Sequence, residues 1–135
     1  MNLYETFEKP DMLDSPKEFP LSETAYITLL PTSGEKAKRA FQRMMEPYTP
    51  RIKAGGSLTE AEIKDLNVRH FAETIIVGWR GLKGKNGEEV VFSRDNAKML
   101  LSDTKLEEFF NLIAKMAQND AAFAEEVAQA DEGNS

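Results

Sequence analysis

The sequence predicts a mainly α-helical protein with a small β element (α+β), built as one compact helical domain with a short strand or hairpin. Three observations lead to this prediction. Apolar residues recur at helical spacing in several segments, capping pairs precede some of them, and β-forming residues occur only in short runs bounded by proline or glycine. A chain of 135 residues with 41% hydrophobic content is sufficient for one modest core.

The predicted domain boundaries follow from composition. Residues 1–20 contain three prolines and no apolar periodicity, which predicts a flexible N-terminal arm. Residues 21–130 form the predicted helical domain, and residues 131–135 a disordered tail. No apolar run approaches the roughly 18–20 residues of a membrane span, and the N-terminal residues do not resemble a signal peptide. The absence of cysteine excludes disulfides and thiolate metal sites.

A short strand and an amphipathic helix open the predicted domain. Residues 25–30 are rich in β-formers and stop at Pro31, which predicts the strand. Ser33 is the predicted N-cap of the helix, and Pro47 and Pro50 end or bend it. Its apolar residues follow the spacing of one buried face: Ala37, Ala40, Phe41, Met44, Met45 and Tyr48.

The longest predicted helix follows the break at residues 55–56. Thr59 and Glu62 have the spacing of a capping box, and the apolar pattern then predicts a helix of about 19 residues that ends near Gly78 and Gly81. The residues that define this pattern are Ile63, Leu66, Phe71, Ala72, Ile75, Ile76 and Trp79.

The C-terminal half is predicted to alternate turns with short helices. Residues 82–92 suggest a loop and a strand at 90–92, with a hairpin turn at residues 86–87. Ser93 is predicted to cap a short helix, and Thr104 with Glu107 to form a capping box for the next one. A last helix is predicted to begin at residues 119–120 and to continue through Phe123 and Val127.

Charge is unevenly distributed along the chain. The net charge is −6, yet residues 36–53 carry six basic residues and one acidic residue, whereas residues 116–135 carry five acidic residues and no basic one. Opposite patches can steer association with a partner or with copies of the same chain. Alternatively, both segments are solvated faces.

Residues suited to catalysis or metal binding do not cluster in this sequence. His70 is the only histidine, and with Glu73 alone it could not hold a metal. Residues 83–87 superficially resemble a phosphate loop but lack its spacing, and no serine stands in a nucleophile elbow. We therefore predict a non-enzymatic protein without catalytic, cofactor-binding or metal-binding residues.

An apolar partner surface is the remaining candidate site. Trp79 either packs under the hairpin or forms a hot spot for a partner, because tryptophan is enriched in both settings. The apolar face of the helix after residue 104 either closes the core over Ile75 and Trp79 or accepts a partner. The candidate partner-binding residues are Trp79, Leu106, Phe109, Phe110, Ile113 and Met116.

Several sequence blocks resemble those of a known family. Residues 71–82, FAETIIVGWRGL, are similar to the block (Y/F)AExx(v)xxWxGv, and residues 86–96, NGEEVVFSRDN, to dGxxxpFSxeN. Residues 97–103, AKMLLSD, match the vxxLLtD that follows. The family is the tail assembly chaperones of long, non-contractile-tailed bacteriophages (siphophage type). The resemblance covers roughly residues 24–127, and Val91 departs from it where the family often has proline.

The resemblance implies a small, mostly helical chaperone. Such a protein would bind the tape-measure protein, keep its apolar helices soluble and help recruit the tail-tube protein in the host cytoplasm. It would be absent from the mature virion and would require no cofactor, nucleic acid or membrane. Many members also have a longer frameshifted form. The alternative is a small adaptor or regulatory protein, with nucleic-acid binding through the basic helix 36–53.

Overall fold

The computed structural model describes residues 1–7 and 14–124. It confirms an α+β domain in which helices cover a three-stranded sheet. The strands are β1 Lys17–Pro20, β2 Tyr26–Leu29 and β3 Ile76–Arg80. The helices are α1 Leu3–Phe7, α2 Glu35–Met45, α3 Thr49–Lys53, α4 Glu60–His70, α5 Arg94–Ser102 and α6 Glu107–Ala117. Residues 120–124 are also helical.

The sheet is antiparallel, with β2 in the centre. Phe19 of β1 and Trp79 of β3 both pair with Ile27 of β2, so these three side chains share the inner face. The strand predicted at residues 25–30 is therefore confirmed as β2. The β2–β3 register shifts between Thr28 and Leu29, which indicates a bulge at that point.

The predicted N-terminal arm is too long at its C-terminal end. Residues 17–20 form strand β1, and Phe19 is buried, with its ring 5.5 Å from that of Phe123. The local composition suggested that the entropic cost of ordering this segment would keep it flexible. The apolar contact with a residue distant in sequence offsets that cost. Helix α1 has no buried residue. The remaining part of the predicted arm, residues 8–13, and the predicted tail, residues 131–135, lie outside the described residues, as does Val127.

The predicted long helix is wrong beyond residue 75. Its start is confirmed, because the Thr59 hydroxyl accepts a hydrogen bond from the backbone N–H of Glu62 and the Glu62 side chain accepts one from that of Thr59. After α4, the chain makes a π-helical turn, Phe71–Ile75, and then enters strand β3. Helical spacing of the apolar residues did not reveal this change, because Ile76 is buried equally well by the sheet.

The predicted cap of α2 is also wrong. Gly34 is the N-cap residue, and the Ser33 hydroxyl donates instead to Oδ1 of Asp120 at 2.7 Å. Asp14, distant in sequence, accepts a hydrogen bond from the backbone N–H of Lys36 at 3.1 Å. A short 3₁₀ turn, Glu46–Tyr48, then leads into α3.

The two later caps have different outcomes. Ser93 caps α5 as predicted, because its hydroxyl accepts from the backbone N–H of Asn96 at 3.0 Å. Thr104 is not a cap residue. It begins a 3₁₀ turn, Thr104–Leu106, whose N-cap is Asp103, and α6 starts only at Glu107.

The segment between β3 and α5 forms a minimal hairpin. The predicted turn is present, with Gly87 at φ +81° and one bridge between Lys83 and Glu89. The strand predicted at residues 90–92 is absent. The Val90 N–H still donates to the Leu82 carbonyl at 2.9 Å. The carbonyls of Val90 and Val91 instead accept from side chains, the Trp79 indole at 2.7 Å and the Asn96 amide at 2.7 Å.

The core lies between the inner face of the sheet and the helices that cover it. Its largest fully buried side chains are Ile27 and Leu29 of β2, Pro31, Ile75 of the π-helical turn and Ile113 of α6. Within residues 1–7 and 14–124, no helix combines the length and hydrophobicity that crossing a membrane would require.

Candidate functional site

A row of aromatic side chains connects three helices beside the sheet. Phe41 of α2 lies 5.2 Å from the His70 ring at the end of α4, and His70 lies 6.1 Å from Phe71. Phe71 then contacts Phe110 of α6 in an edge-to-face arrangement, with a centroid distance of 5.1 Å. This row fixes the spacing of α2, α4 and α6.

Two grooves flank α4, and residues of the aromatic row line both of them. The α4–α6 groove has a volume of about 550 Å³ and is bounded by α4 on one side and by Leu101, Phe110 and Ala114 on the other. The α2–α4 groove has a volume of about 400 Å³ and takes its opposite wall from Phe41 and residues beyond α2. The apolar side chains of this second groove are Phe41, Met45, Ile52, Leu58, Ile63 and Leu66.

Ile63 forms the crest between the two grooves. It lines both of them together with Asn67, and 48% of its surface is exposed. Ile52, in the wall of the α2–α4 groove, is 42% exposed. Large apolar side chains exposed next to one another indicate an interaction surface more strongly than the same residues scattered singly.

The rim of the α4–α6 groove is charged. Glu60 and Lys64 belong to α4, whereas the opposite side carries Asp103, at the start of the 3₁₀ turn before α6, and Glu107, the first residue of α6. An apolar floor with a polar rim is the usual arrangement of a surface that binds another protein.

An ion pair connects the start of α4 to α3. Arg51 binds Glu62, and this hydrogen bond, followed by the backbone N–H of Thr59, lowers the pKa of Glu62 to about 2. The carboxylate therefore remains charged throughout the physiological range. It holds α3 near the α2–α4 groove while completing the capping box.

His70 has a structural position in this site. The ring is buried, and its Nε2 donates to the carbonyl of Ala37 at 2.8 Å, which ties α4 to α2. Burial lowers the pKa of His70 because the charged imidazolium would lose its hydration. In the described part of the chain, no group of three or more His, Cys, Asp or Glu residues is arranged to hold a metal ion.

The structure separates the six predicted partner-binding residues. Phe110 lines the α4–α6 groove, but Leu106, Phe109 and Met116 are half-buried and are not part of its wall. Ile113 is completely buried in the core, so its predicted availability to a partner is corrected. Ile113 therefore belongs to the core, whereas Phe110 and Ala114 of the same helix border the groove.

Trp79 lies in β3 rather than at the end of a helix. Its indole N–H donates to the Val90 carbonyl at 2.7 Å, and its ring contacts Phe92 edge-to-face at 5.1 Å. The half-buried ring packs against the core under the hairpin segment. The structure therefore supports the packing interpretation of Trp79.

Sequence reasoning overlooked the exposed side of α4. Ile63 was used only to define the apolar pattern of the long helix, and neither Ile52 nor Leu58 was included in a predicted partner surface. The sequence did contain one indication of this surface. Ile52 precedes the break at Gly55 and Gly56, and Leu58 and Ile63 follow it closely. Apolar residues that flank an exposed break indicate surface rather than core.

Comparison with known proteins shows the origin of the chain. No match is found among curated proteins, and none among solved structures. The family model described as YdaY prophage protein matches residues 32–134, which include both grooves and the aromatic row. The match covers more than half of the sequence, so the chain belongs to the YdaY prophage protein family and is a phage-derived protein.

Proposed function

We propose that this protein is a non-enzymatic tail assembly chaperone whose two grooves bind amphipathic helices of the tape-measure protein. Its prophage family gives the coarse biological setting, and the sequence blocks at residues 71–103 resemble those of siphophage tail assembly chaperones. The observation that carries the proposal is the exposed crest of Ile63 between two apolar grooves.

The shape of the surface supports a helical client. An amphipathic helix binds by placing apolar residues from successive turns into a groove, and the two grooves offer adjacent tracks on either side of α4. Met45 in one groove adapts to different side chains, because its unbranched thioether repacks easily. Such a surface suits a long client whose apolar residues vary from turn to turn.

The proposed cellular role follows from this binding mode. The chaperone would keep the tape-measure protein soluble in the host cytoplasm, help recruit tail-tube subunits and be absent from the mature virion. No cofactor, nucleic acid or membrane is required. Self-association remains a further partner proposal, supported by the opposite charges of residues 36–53 and 116–135.

The test is co-expression of the full chain with the tape-measure protein of the same prophage. In the double variant Ile52→Asn/Ile63→Asn, each apolar contact is lost and an amide is placed in the interface, at a cost of about 2 kcal/mol or more in total. We expect at least about thirtyfold weaker client binding and loss of client solubility. The melting temperature of the double variant should remain close to that of the wild type, because both side chains are exposed.

Leu112→Asn is the matched control. Leu112 is 42% exposed, as is Ile52, but it lies on α6 outside both grooves. This variant should solubilise the client as well as the wild type does. Full activity of the double variant, or equal loss in the control, would contradict the proposal. Specific binding of nucleic acid through residues 36–53, without any effect on the client, would instead favour the alternative of a small regulatory protein.

A further inference from the structure

A polar pocket of about 360 Å³ lies outside the two grooves. Three arginines from three separate helices line it: Arg43 from α2, Arg69 from α4 and Arg94 from the first position of α5. Glu73 and Thr74 of the π-helical turn complete its polar wall. Its volume falls within the range of about 300–1,000 Å³ that is usual for small-molecule sites.

Glu73 does not neutralise this pocket. One of its carboxylate oxygens binds Lys98 Nζ at 2.8 Å, and the other lies 4.0 Å from Arg69 Nε. The hydrogen bond from Lys98, followed by the charges of Lys98, Arg69 and Arg94, lowers the pKa of Glu73. Its single negative charge is therefore shared among several cations.

Two of the arginines form no direct ion pair, although the charge of Arg94 acts on Glu73. Among residues 1–7 and 14–124, neither Arg43 nor Arg94 forms an ion pair, and both are exposed at the pocket. Arg69 has only distant partners, Asp65 at 3.8 Å and Glu73 at 4.0 Å. The three guanidinium groups and Lys98 outnumber the two carboxylates beside them, Glu73 and Asp65, which leaves an excess of positive charge at the pocket.

We infer that the pocket lined by Arg43, Arg69 and Arg94 binds a single phosphate-class oxyanion. A guanidinium presents several N–H donors in a planar fork that matches phosphate oxygens, and three such forks from different helices suit a tetrahedral group with several acceptor oxygens. The Thr74 hydroxyl supplies a further donor. The shared chemistry is one phosphate group, either free or as the terminal group of a small phosphorylated molecule.

The surroundings favour one group over a nucleic-acid backbone. The chain carries a net charge of −6, so it has no broad positive field to release many counterions. Glu73 in the pocket wall and Asp65 beside Arg69 would oppose a strand of successive phosphates. A compact excess of positive charge with acidic neighbours selects a single small anion.

The experiment is a titration of the ¹⁵N-labelled full chain with inorganic phosphate at constant ionic strength, followed by NMR. We expect a saturable shift at the Thr74 amide and at the Arg69 Nε–H. In Arg43→Ala/Arg94→Ala, the dissociation constant should rise by about tenfold or more. A parallel titration with a simple phosphate monoester distinguishes the two sources of the phosphate group. If the site takes a small phosphorylated molecule, the monoester should bind more tightly than inorganic phosphate. If the site takes free phosphate, inorganic phosphate should bind at least as tightly as the monoester.

Lys36→Ala/Lys38→Ala is the charge-matched control. It removes two exposed cations from α2 but leaves the pocket intact, so its phosphate affinity should stay within about twofold of the wild type. Absence of saturation in the wild type, or an equal loss in both double variants, would overturn the inference. So would arginine-dependent binding of a short DNA duplex without any shift caused by phosphate. Failure of phosphate to bind does not bear on the chaperone proposal, because Arg43 and Arg94 lie outside both grooves. Binding of DNA through Arg43 would in addition favour the regulatory alternative, because Arg43 belongs to residues 36–53.

Discussion

At the scale of single residues, His70 shows how burial changes the chemistry of a side chain. Its Nε2 donates to the carbonyl of Ala37, and neighbouring aromatic rings cover it. Burial lowers its pKa below the ordinary value of 6.5. The folded protein therefore prefers the neutral ring, whereas the unfolded chain binds a proton as soon as the pH falls below that value.

This difference predicts a pH-dependent stability. Above pH 6.5 the contribution of His70 is complete, and it decreases as the pH falls from 6.5 through the lower folded pKa, because the unfolded state then holds more protons. We expect the melting temperature to fall between neutral pH and about pH 5, a range in which unperturbed carboxylates are still largely ionised.

His70→Gln is the corresponding variant. Its amide can still donate to the Ala37 carbonyl but does not titrate, so the melting temperature should be nearly constant over the same range. The interpretation is direct because the sequence contains no second histidine. An unchanged pH dependence in His70→Gln would assign the effect to other groups.

At the scale of elements, the end of β3 depends on one glycine. Gly81 has a φ of +80°, and a Cβ atom at this position would lie 2.0 Å from the Thr24 carbonyl oxygen. The backbone of the segment before β2 therefore approaches the end of β3 more closely than a residue other than glycine at position 81 would allow. Gly87 has nearly the same φ, +81°, but a Cβ atom at this position would have no other atom within 4 Å.

The two glycines form a matched pair for a stability measurement. Gly87→Ala carries only the strain of the left-handed backbone, about 1 kcal/mol. Gly81→Ala combines that strain with a collision against backbone, and we expect it to lower the free energy of unfolding by more than about 2 kcal/mol. Urea denaturation of both variants measures the difference. An equal decrease in the free energy of unfolding in both variants would show that the close approach to Thr24 does not affect stability.

At the scale of the whole molecule, segments near opposite ends of the chain close the same core. Phe19 of β1 packs edge-to-face on Phe123, with 5.5 Å between the ring centroids. Nearby, the backbone N–H of Thr32 donates to the Ala117 carbonyl at 3.0 Å. These long-range contacts make the first strand part of the domain, whereas residues 1–7 are exposed.

Phe19→Ala tests whether β1 is required for stability. The side chain is only 8% exposed, and truncation of a buried phenylalanine costs about 3–5 kcal/mol. This is a large share of the roughly 5–15 kcal/mol that stabilises a typical domain, so the melting temperature should fall steeply. Deletion of residues 2–7 is the control and should leave it almost unchanged. A small effect of Phe19→Ala would mean that β1 is only loosely attached.

Local signals made much of the fold predictable. The capping box at Thr59 and the cap at Ser93 involve hydrogen bonds between residues three positions apart, so the sequence contains both partners. The strand before Pro31 and the glycine turn at Gly87 also depend on neighbouring residues. The α+β class followed from these short-range patterns.

Features that depend on distant partners could not be predicted in this way. Helical spacing continued through residues 76–80, and only pairing with β2 decided that they form a strand. Ser33 could have capped α2 locally but instead donates to Asp120, and Trp79 gains its partner from the Val90 carbonyl. The candidate surface was predicted only in part, because Phe110 borders a groove, whereas Ile113 is completely buried in the core.

By itself, the sequence determined the fold class, several helix starts and the absence of cysteine chemistry, because these depend on composition and on contacts within a few residues. Tertiary structure alone decided which apolar residues remained exposed. Ile52 and Ile63 belong to different helices and line the same α2–α4 groove, and Arg43 and Arg94 line one pocket although they are 51 positions apart in the sequence. The physical reason is that burial and charge balance depend on every element packed around a side chain, whereas periodicity reports only the element to which it belongs.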